Sequence, residues 1–249
     1  MSKSAQQQEG NAGFPQTRWT LVVDLRGGDT RRRRALEELC RAYWLPLYAY
    51  ARRCGHSPQD AEDLTQQFFA HLVEKAVFSK ADPKVGKLRS FLLTSFRNLI
   101  AGEHRKARAE KRGGKATILP IDAAAAERQF AADFASAEGD PEREFHRRWA
   151  LTVVERAVRR LHKDAETKGE SEAARVEALS PFLTGIPDGE SYATVAARLG
   201  VAEGTARVAV FRLRKRFHQI LRDEIAETVA DPDQVEGELG ELVGAMAGC

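Results

Sequence analysis

A chain of 249 residues, 30% charged and only 8% aromatic, has room for one large domain or two to three small ones. Its abundance of Ala, Arg, Glu and Leu suits short, well-solvated helices, so the expected fold class is all-α. The net charge of +3 hides a polarity: residues 223–249 hold eight acidic residues and no Lys or Arg, which leaves +11 on the remainder, a basic body that favours a polyanionic partner.

No apolar run approaches the roughly 18–20 residues that span a bilayer, and residues 1–13 are polar rather than a charged-then-apolar signal, which predicts a cytoplasmic protein with no membrane insertion. Cys40, Cys54 and Cys249 are too few and too widely spaced for a disulfide framework or a thiolate cage.

In chain order, residues 1–12 read as a disordered N-terminus and 13–112 as one helical domain. Leu36, Leu39, Ala42, Tyr43, Leu47 and Tyr50 recur at helical spacing, with Pro46 as a candidate kink, and the helix ends near Gly55. Ser57 is placed to cap the next helix, with Pro58 at its first position and Asp60 in an acidic first turn. Ala61, Leu64, Phe68 and Leu72 form its apolar stripe. After a loop with Asp82, Pro83 and Gly86, a third helix starts near Lys87, with Leu88, Phe91, Leu92, Phe96 and Leu99 facing inward.

Residues 113–140 show no sustained period and read as a flexible linker. At up to about 3.3 Å per residue it could extend roughly 85 Å, more than two turns of B-DNA at about 35 Å each, so the two halves could read separated DNA sites. Residues 141–228 read as a second helical domain. Asp140 and Pro141 cap and open its first helix, which carries Trp149, Val153, Val154, Ala157, Val158 and Leu161, and a further helix is expected over 171–183.

The most legible segment follows. Ser191 can cap a short helix 192–199, Gly200 supplies a positive-φ turn, Val201 packs beneath it, and a long helix runs from about Glu203 to Thr228. Ala206, Val210, Leu213 and Phe217 form its stripe. The other face carries Arg207, Arg212, Arg214, Lys215, Arg216 and Arg222 with no acidic residue between. This is the pattern of a helix-turn-helix whose recognition helix meets base edges through Thr205 and Arg207 and backbone phosphates through Arg212, Arg214 and Lys215. The plainer alternative is a solvated basic face.

The stretches DAEDLTQQFF (60–69), GKLRSFLLT (86–94) with Arg97 and Asn98, SYATVAARLGV (191–201) and GTAR (204–207) together resemble the sigma factors of the extracytoplasmic-function family of bacterial RNA polymerase. The resemblance covers most of 17–222. It implies a sigma region 2-like domain at 13–112, a region 4-like domain at 141–228 and a sigma subunit that catalyses nothing itself and needs no cofactor and no metal. It further implies binding of the clamp helices of the largest polymerase subunit through Asp60, Glu62, Asp63 and Gln66. Their alternative role is to complement the helix dipole, which suits Asp60 but not Gln66.

By the same resemblance Arg97, Asn98, Arg105, Lys106 and Arg108 meet the minus-10 promoter element, and Thr205, Arg207, Arg212, Arg214 and Lys215 the minus-35 element. Phe91 stands where the family usually has Trp, and Ala202 and Ala206 where it often has Ser and Val. The acidic C-terminal extension 229–249 exceeds the family's short form. It is expected to fold back on a basic DNA-binding face, the alternative being a disordered solubilising tail. Whether an anti-sigma factor or this tail restrains activity stays open.

Two rival functions stand against this one. An enzyme is disfavoured because His56, His71, His104, His146, His162 and His218 are scattered singly and no nucleophile elbow or phosphate-cradling loop accompanies them. A stand-alone helix-turn-helix regulator that binds duplex DNA without core polymerase would need a dimerisation face or a receiver domain, for which the sequence gives no sign.

Overall fold

The computed structural model describes residues 21, 24, 28–74, 87–107, 124, 127, 128, 130, 131, 139–229 and 231–247. The expected N-terminal disorder at 1–12 and most of the 113–140 stretch lie outside these residues. Among them the structure is all-helical: α1 (Asp29–Arg53), α2 (Pro58–Glu74), α3 (Leu88–Ala107), α4 (Pro141–Glu166), α5 (Glu170–Leu179), α6 (Tyr192–Leu199), α7 (Glu203–Ala226) and α8 (Val235–Ala247), with single 3-10 turns at Ser180–Phe182 and Pro232–Gln234.

The helix boundaries follow local chemistry. Ser57 Oγ accepts from the Asp60 amide at 3.1 Å and opens α2, and Asp140 accepts from the Glu142 amide at 3.1 Å with Pro141 at the first position of α4. Gly55 ends the α1 turn at φ 91°. Helix α1 passes through Pro46, which is buried.

Helix α1 is apolar around most of its circumference over 42–51 and is accordingly buried on nearly every side. One side receives α2 and α3, where Tyr50, Phe68 and Phe96 meet edge to face at 6.1 and 5.3 Å between centroids. The other side receives α4, which lies along it and also packs on α5, α7 and α8. Arg156 of α4 marks the joint, reaching Glu224 of α7 at 3.2 Å and Glu38 of α1 at 3.7 Å. Helices of the 13–112 and 141–228 segments therefore lie against each other in this structure. Within 113–140, Phe130 is buried edge-on to Tyr48, and Glu127 accepts from Arg52 at 2.9 Å.

The acidic extension is helical over α8 and docks on α4 and α7, with Val235 and Leu242 buried. Its acidic side chains meet Lys87 and Arg89 at the start of α3 and Arg222 near the end of the recognition-type helix α7.

Candidate nucleic-acid interface

Two surfaces carry the residues singled out from sequence. On α2, the apolar stripe faces inward with Ala61, Leu64, Phe68 and Leu72 buried, and Thr65 joins it by donating to the Ala61 carbonyl at 2.7 Å. Asp60 is exposed and Glu62, Asp63 and Gln66 are half-buried on the outer side. Asp60 accepts from the Ser57 hydroxyl at 2.7 Å and so belongs to the cap. Gln66 Nε2 donates to Glu62 at 2.9 Å, one turn back, which pre-orients both groups on a single patch.

On α3, Arg97 and Asn98 are exposed, and the Arg97 guanidinium donates to Glu142 at the start of α4. Arg105 and Lys106 lie on its last turn with side chains outside the described residues, as is all of Arg108. Phe91 is partly buried against the core. Arg89, which sequence reading left unassigned, is 4% exposed. It is held by Glu238 with Nη2–Oε2 at 3.0 Å, by Glu241, and by the ring of Trp149 at 4.5 Å.

Arg89 also donates to His146 Nδ1. Because guanidinium can only donate, that nitrogen must offer a lone pair and the ring must be neutral. Burial and the adjacent Arg89 push the His146 pKa down, in agreement with that geometry. At Lys87 burial works toward a lower pKa, but the carboxylates of Glu238 and Glu241 outweigh it and hold the ammonium above its ordinary value.

The second surface is built by α6 and α7. Ser191 caps α6 by accepting from the Thr194 amide at 3.1 Å. Gly200 turns the chain at φ 65° and ψ 31°, and the Val201 amide returns to the Ala196 carbonyl at 3.0 Å. Val201 itself is 40% exposed, so it does not pack beneath the turn. Ala202 precedes α7 without a side-chain cap. Ala206, Val210, Leu213 and Phe217 are buried as the stripe requires.

At about 100° per residue the outward side of α7 centres on Gly204, Val208, Phe211 and Lys215. Val208 is 49% and Phe211 69% exposed, and both fall outside the stripe, a signal present in the sequence but unused. Thr205 and Arg212 edge this face toward α5, across a groove of about 280 Å³ with Val176 and Leu179 in its wall. Arg207 edges it on the α6 side, over Tyr192 at 4.9 Å and bonded to Glu203 at 2.7 Å.

Two other arginines of the basic run turn away from this face. Arg214, expected to hold backbone phosphate, donates to the carbonyls of Phe182 at 2.8 Å and Gly185 at 3.0 Å and ties down the loop before α6. Arg216 reaches Asp164 at 3.3 Å. The exposed cationic set is therefore Arg207, Arg212 and Lys215, interleaved with two apolar side chains.

Among the described residues there is no cluster of three metal-ligating side chains and no helix long and apolar enough to cross a membrane. The arrangement offers a polar, carboxylate-bearing patch on α2, a cation-rich helix α3 whose first residues are covered, and an open basic face on α7. No curated protein and no solved structure matches the chain. Residues 39–110, which take in most of α1 and all of α2 and α3, match the family model described as Sigma-70 region 2, and this match supports a sigma-70 family factor with a role in RNA polymerase binding and promoter melting.

Proposed function

We propose that the chain is a sigma subunit of the extracytoplasmic-function kind, which binds core polymerase through α2, takes the melted minus-10 element on α3 and reads the minus-35 duplex with α6 and α7 as a helix-turn-helix. The observation that carries this reading is the region 2 match over 39–110. The outward placement of Glu62, Asp63 and Gln66 supports the polymerase contact, since half-buried carboxylates on the outer side suit a basic partner surface and steer its approach. Single-strand capture would fall to Asn98, to Arg97 once it exchanges Glu142 for a phosphate, and to Arg105, Lys106 and Arg108 beyond it.

On α7, Thr205 and Arg207 stand at the N-terminal end, where a helix in the major groove meets base edges, and Arg212 and Lys215 lie where phosphates pass. Val208 and Phe211 give that face an apolar centre suited to thymine methyl groups.

A pull-down with purified bacterial core polymerase, followed by run-off transcription on a promoter library, tests the proposal. Wild-type chain binds core stoichiometrically and directs promoter-dependent transcripts. Asp63→Lys abolishes both while its circular-dichroism spectrum stays helical. Normal transcription by that variant overturns the α2 assignment, and failure of the wild type to bind core overturns the function.

A further inference from the structure

The C-terminal helix α8 places its acidic side chains on the cations that open α3. Glu238 is 1% exposed and accepts from both Lys87, at 2.7 Å, and Arg89 in a two-point contact. Glu241 accepts from the same two residues. Glu236, one turn earlier, pairs with Arg222 of α7. Every carboxylate of α8 is thus engaged, and helix α8 itself carries no cation. A planar two-oxygen contact to guanidinium is also how arginine holds a phosphate.

The helix is poorly suited to standing alone. It has thirteen residues, marginal for an isolated helix in water, and contains Gly237, Gly240 and Gly244, each a weaker helix former than alanine. Its apolar anchor is short: Val235 and Leu242 are buried, Leu239, Ala245 and Met246 are partly so, and Val243 is 58% exposed. The ion pairs to α3 and α7 add to this apolar contact in holding it in place. Another anion that meets Lys87 and Arg89 competes with these carboxylates for the same donors.

Resting on the sigma reading above, we propose that α8 is an intramolecular stand-in for nucleic-acid phosphate: docked, its Glu238 and Glu241 occupy Lys87 and Arg89 and restrain DNA binding by α3; undocked, they release it. Covering one end of a polyanion-binding helix with an acidic helix lowers affinity without touching the polymerase-facing side of α2.

The test uses the full chain and a fluorescein-labelled mixed-sequence 20-nucleotide single-stranded DNA, with anisotropy followed from low to moderate NaCl. Glu241→Gln, a change at a half-exposed side chain, tightens binding several-fold at low salt, and Glu238→Gln/Glu241→Gln tightens it roughly tenfold. The slope of log affinity against log salt steepens by about 0.7 for each cation freed onto a single strand. Lys87→Gln in the Glu241→Gln chain removes most of the gain.

Glu155→Gln makes the same change in net charge on α4, where its partner Arg159 is already exposed, and moves the affinity little. Should Glu238→Gln fail to fold, Glu241→Gln with its Lys87 control decides the matter alone. A gain no larger than that of Glu155→Gln, or one that survives Lys87→Gln, overturns the proposal; α8 would then be a packing element, and its variants would lose stability with unchanged affinity. Wild type that binds core while the Glu241→Gln gain is absent sinks the restraint but not the sigma reading. A restraint seen in a chain that does not bind core sinks the sigma reading alone. No DNA binding by any form at low salt sinks both.

Discussion

Trp149→Ala tests whether the front and rear halves of this chain are one cooperative body. Trp149 is 1% exposed at the middle of α4, the helix that lies along α1 and also carries α5, α7 and α8. Removing a buried tryptophan costs about 3–5 kcal/mol through lost transfer energy and the cavity left behind. The desolvated Arg89 guanidinium stacked on the ring at 4.5 Å places the loss toward the upper end. At about 2–4 °C per kcal/mol for a body of this size, about 5 kcal/mol lowers Tm by roughly 10–20 °C.

Trp149→Phe should be far milder, under about 1.5 kcal/mol, because the indole Nε1 it removes is buried and has no hydrogen-bond partner among the described residues. The assay is calorimetric melting paired with hydrogen exchange read on peptides from α1 and from α7. One transition, with exchange accelerated together in both helices, is the expected outcome. If α7 exchanges faster while α1 keeps its wild-type rate, the halves are independent modules and the α1–α4 joint contributes little.

Four further outcomes follow from individual positions. Gly200→Ala meets no atom within 4 Å of its new Cβ, so its cost is purely conformational, about 1–2 kcal/mol for a left-handed residue; Gly200→Asn costs less, and a Gly200→Ala melt at the wild-type temperature would falsify that account. Arg212→Ala weakens duplex binding and lowers the salt slope by about 0.9 with stability almost unchanged. Arg214→Ala instead lowers stability by about 1–3 kcal/mol, since the Phe182 and Gly185 carbonyls lose a charged donor; equal effects of the two on DNA affinity would contradict the geometry. His146 has its pKa lowered from an ordinary value near 6.5 by burial and by Arg89, so below pH 6.5 the unfolded chain takes up a proton that the folded chain refuses. Stability therefore falls as pH drops from 6.5 toward the depressed folded value, and His146→Gln flattens that part of the Tm profile.

Caps and turns were legible because each is a rule about adjacent residues. Ser57, Asp140, Ser191 and Gly200 do what short-range chemistry predicts, and the stripes of α2 and α7 follow from helical period alone. The near-total burial of α1 was also readable, since a run such as 42–51, apolar on all sides, needs partners on all sides.

What the sequence hides are contacts between residues far apart along the chain. Arg89 meets Glu238 across 149 positions and Arg214 meets the Phe182 carbonyl across 32. Periodicity assigns both arginines to solvent-facing positions, and only the packing of α8 and of the loop before α6 shows that they are occupied. The same limit holds at the α4 joint: Arg156, Glu38 and Glu224 look like ordinary surface charges until α4 is laid between α1 and α7.

The distribution of occupied and open charges gives the proposed function an order. In this packed form Glu62, Asp63 and Gln66 stand on the outer side of α2, so the proposed polymerase contact asks for no rearrangement. Arg212 and Lys215 likewise stay exposed on α7, available to duplex phosphate. Helix α3 differs: Arg89 is buried against α8 and α4, and Arg97 is paired with Glu142. On the sigma reading, Arg89 can reach a single strand only after α8 yields and Arg97 only after it leaves Glu142, and a melted strand exists only after polymerase and duplex have been engaged. The start of the surface used last is therefore, on that reading, what the free chain keeps covered. Uncovered early, it would hold non-specific nucleic acid through the sequence-independent phosphate attraction that a basic body of this charge invites.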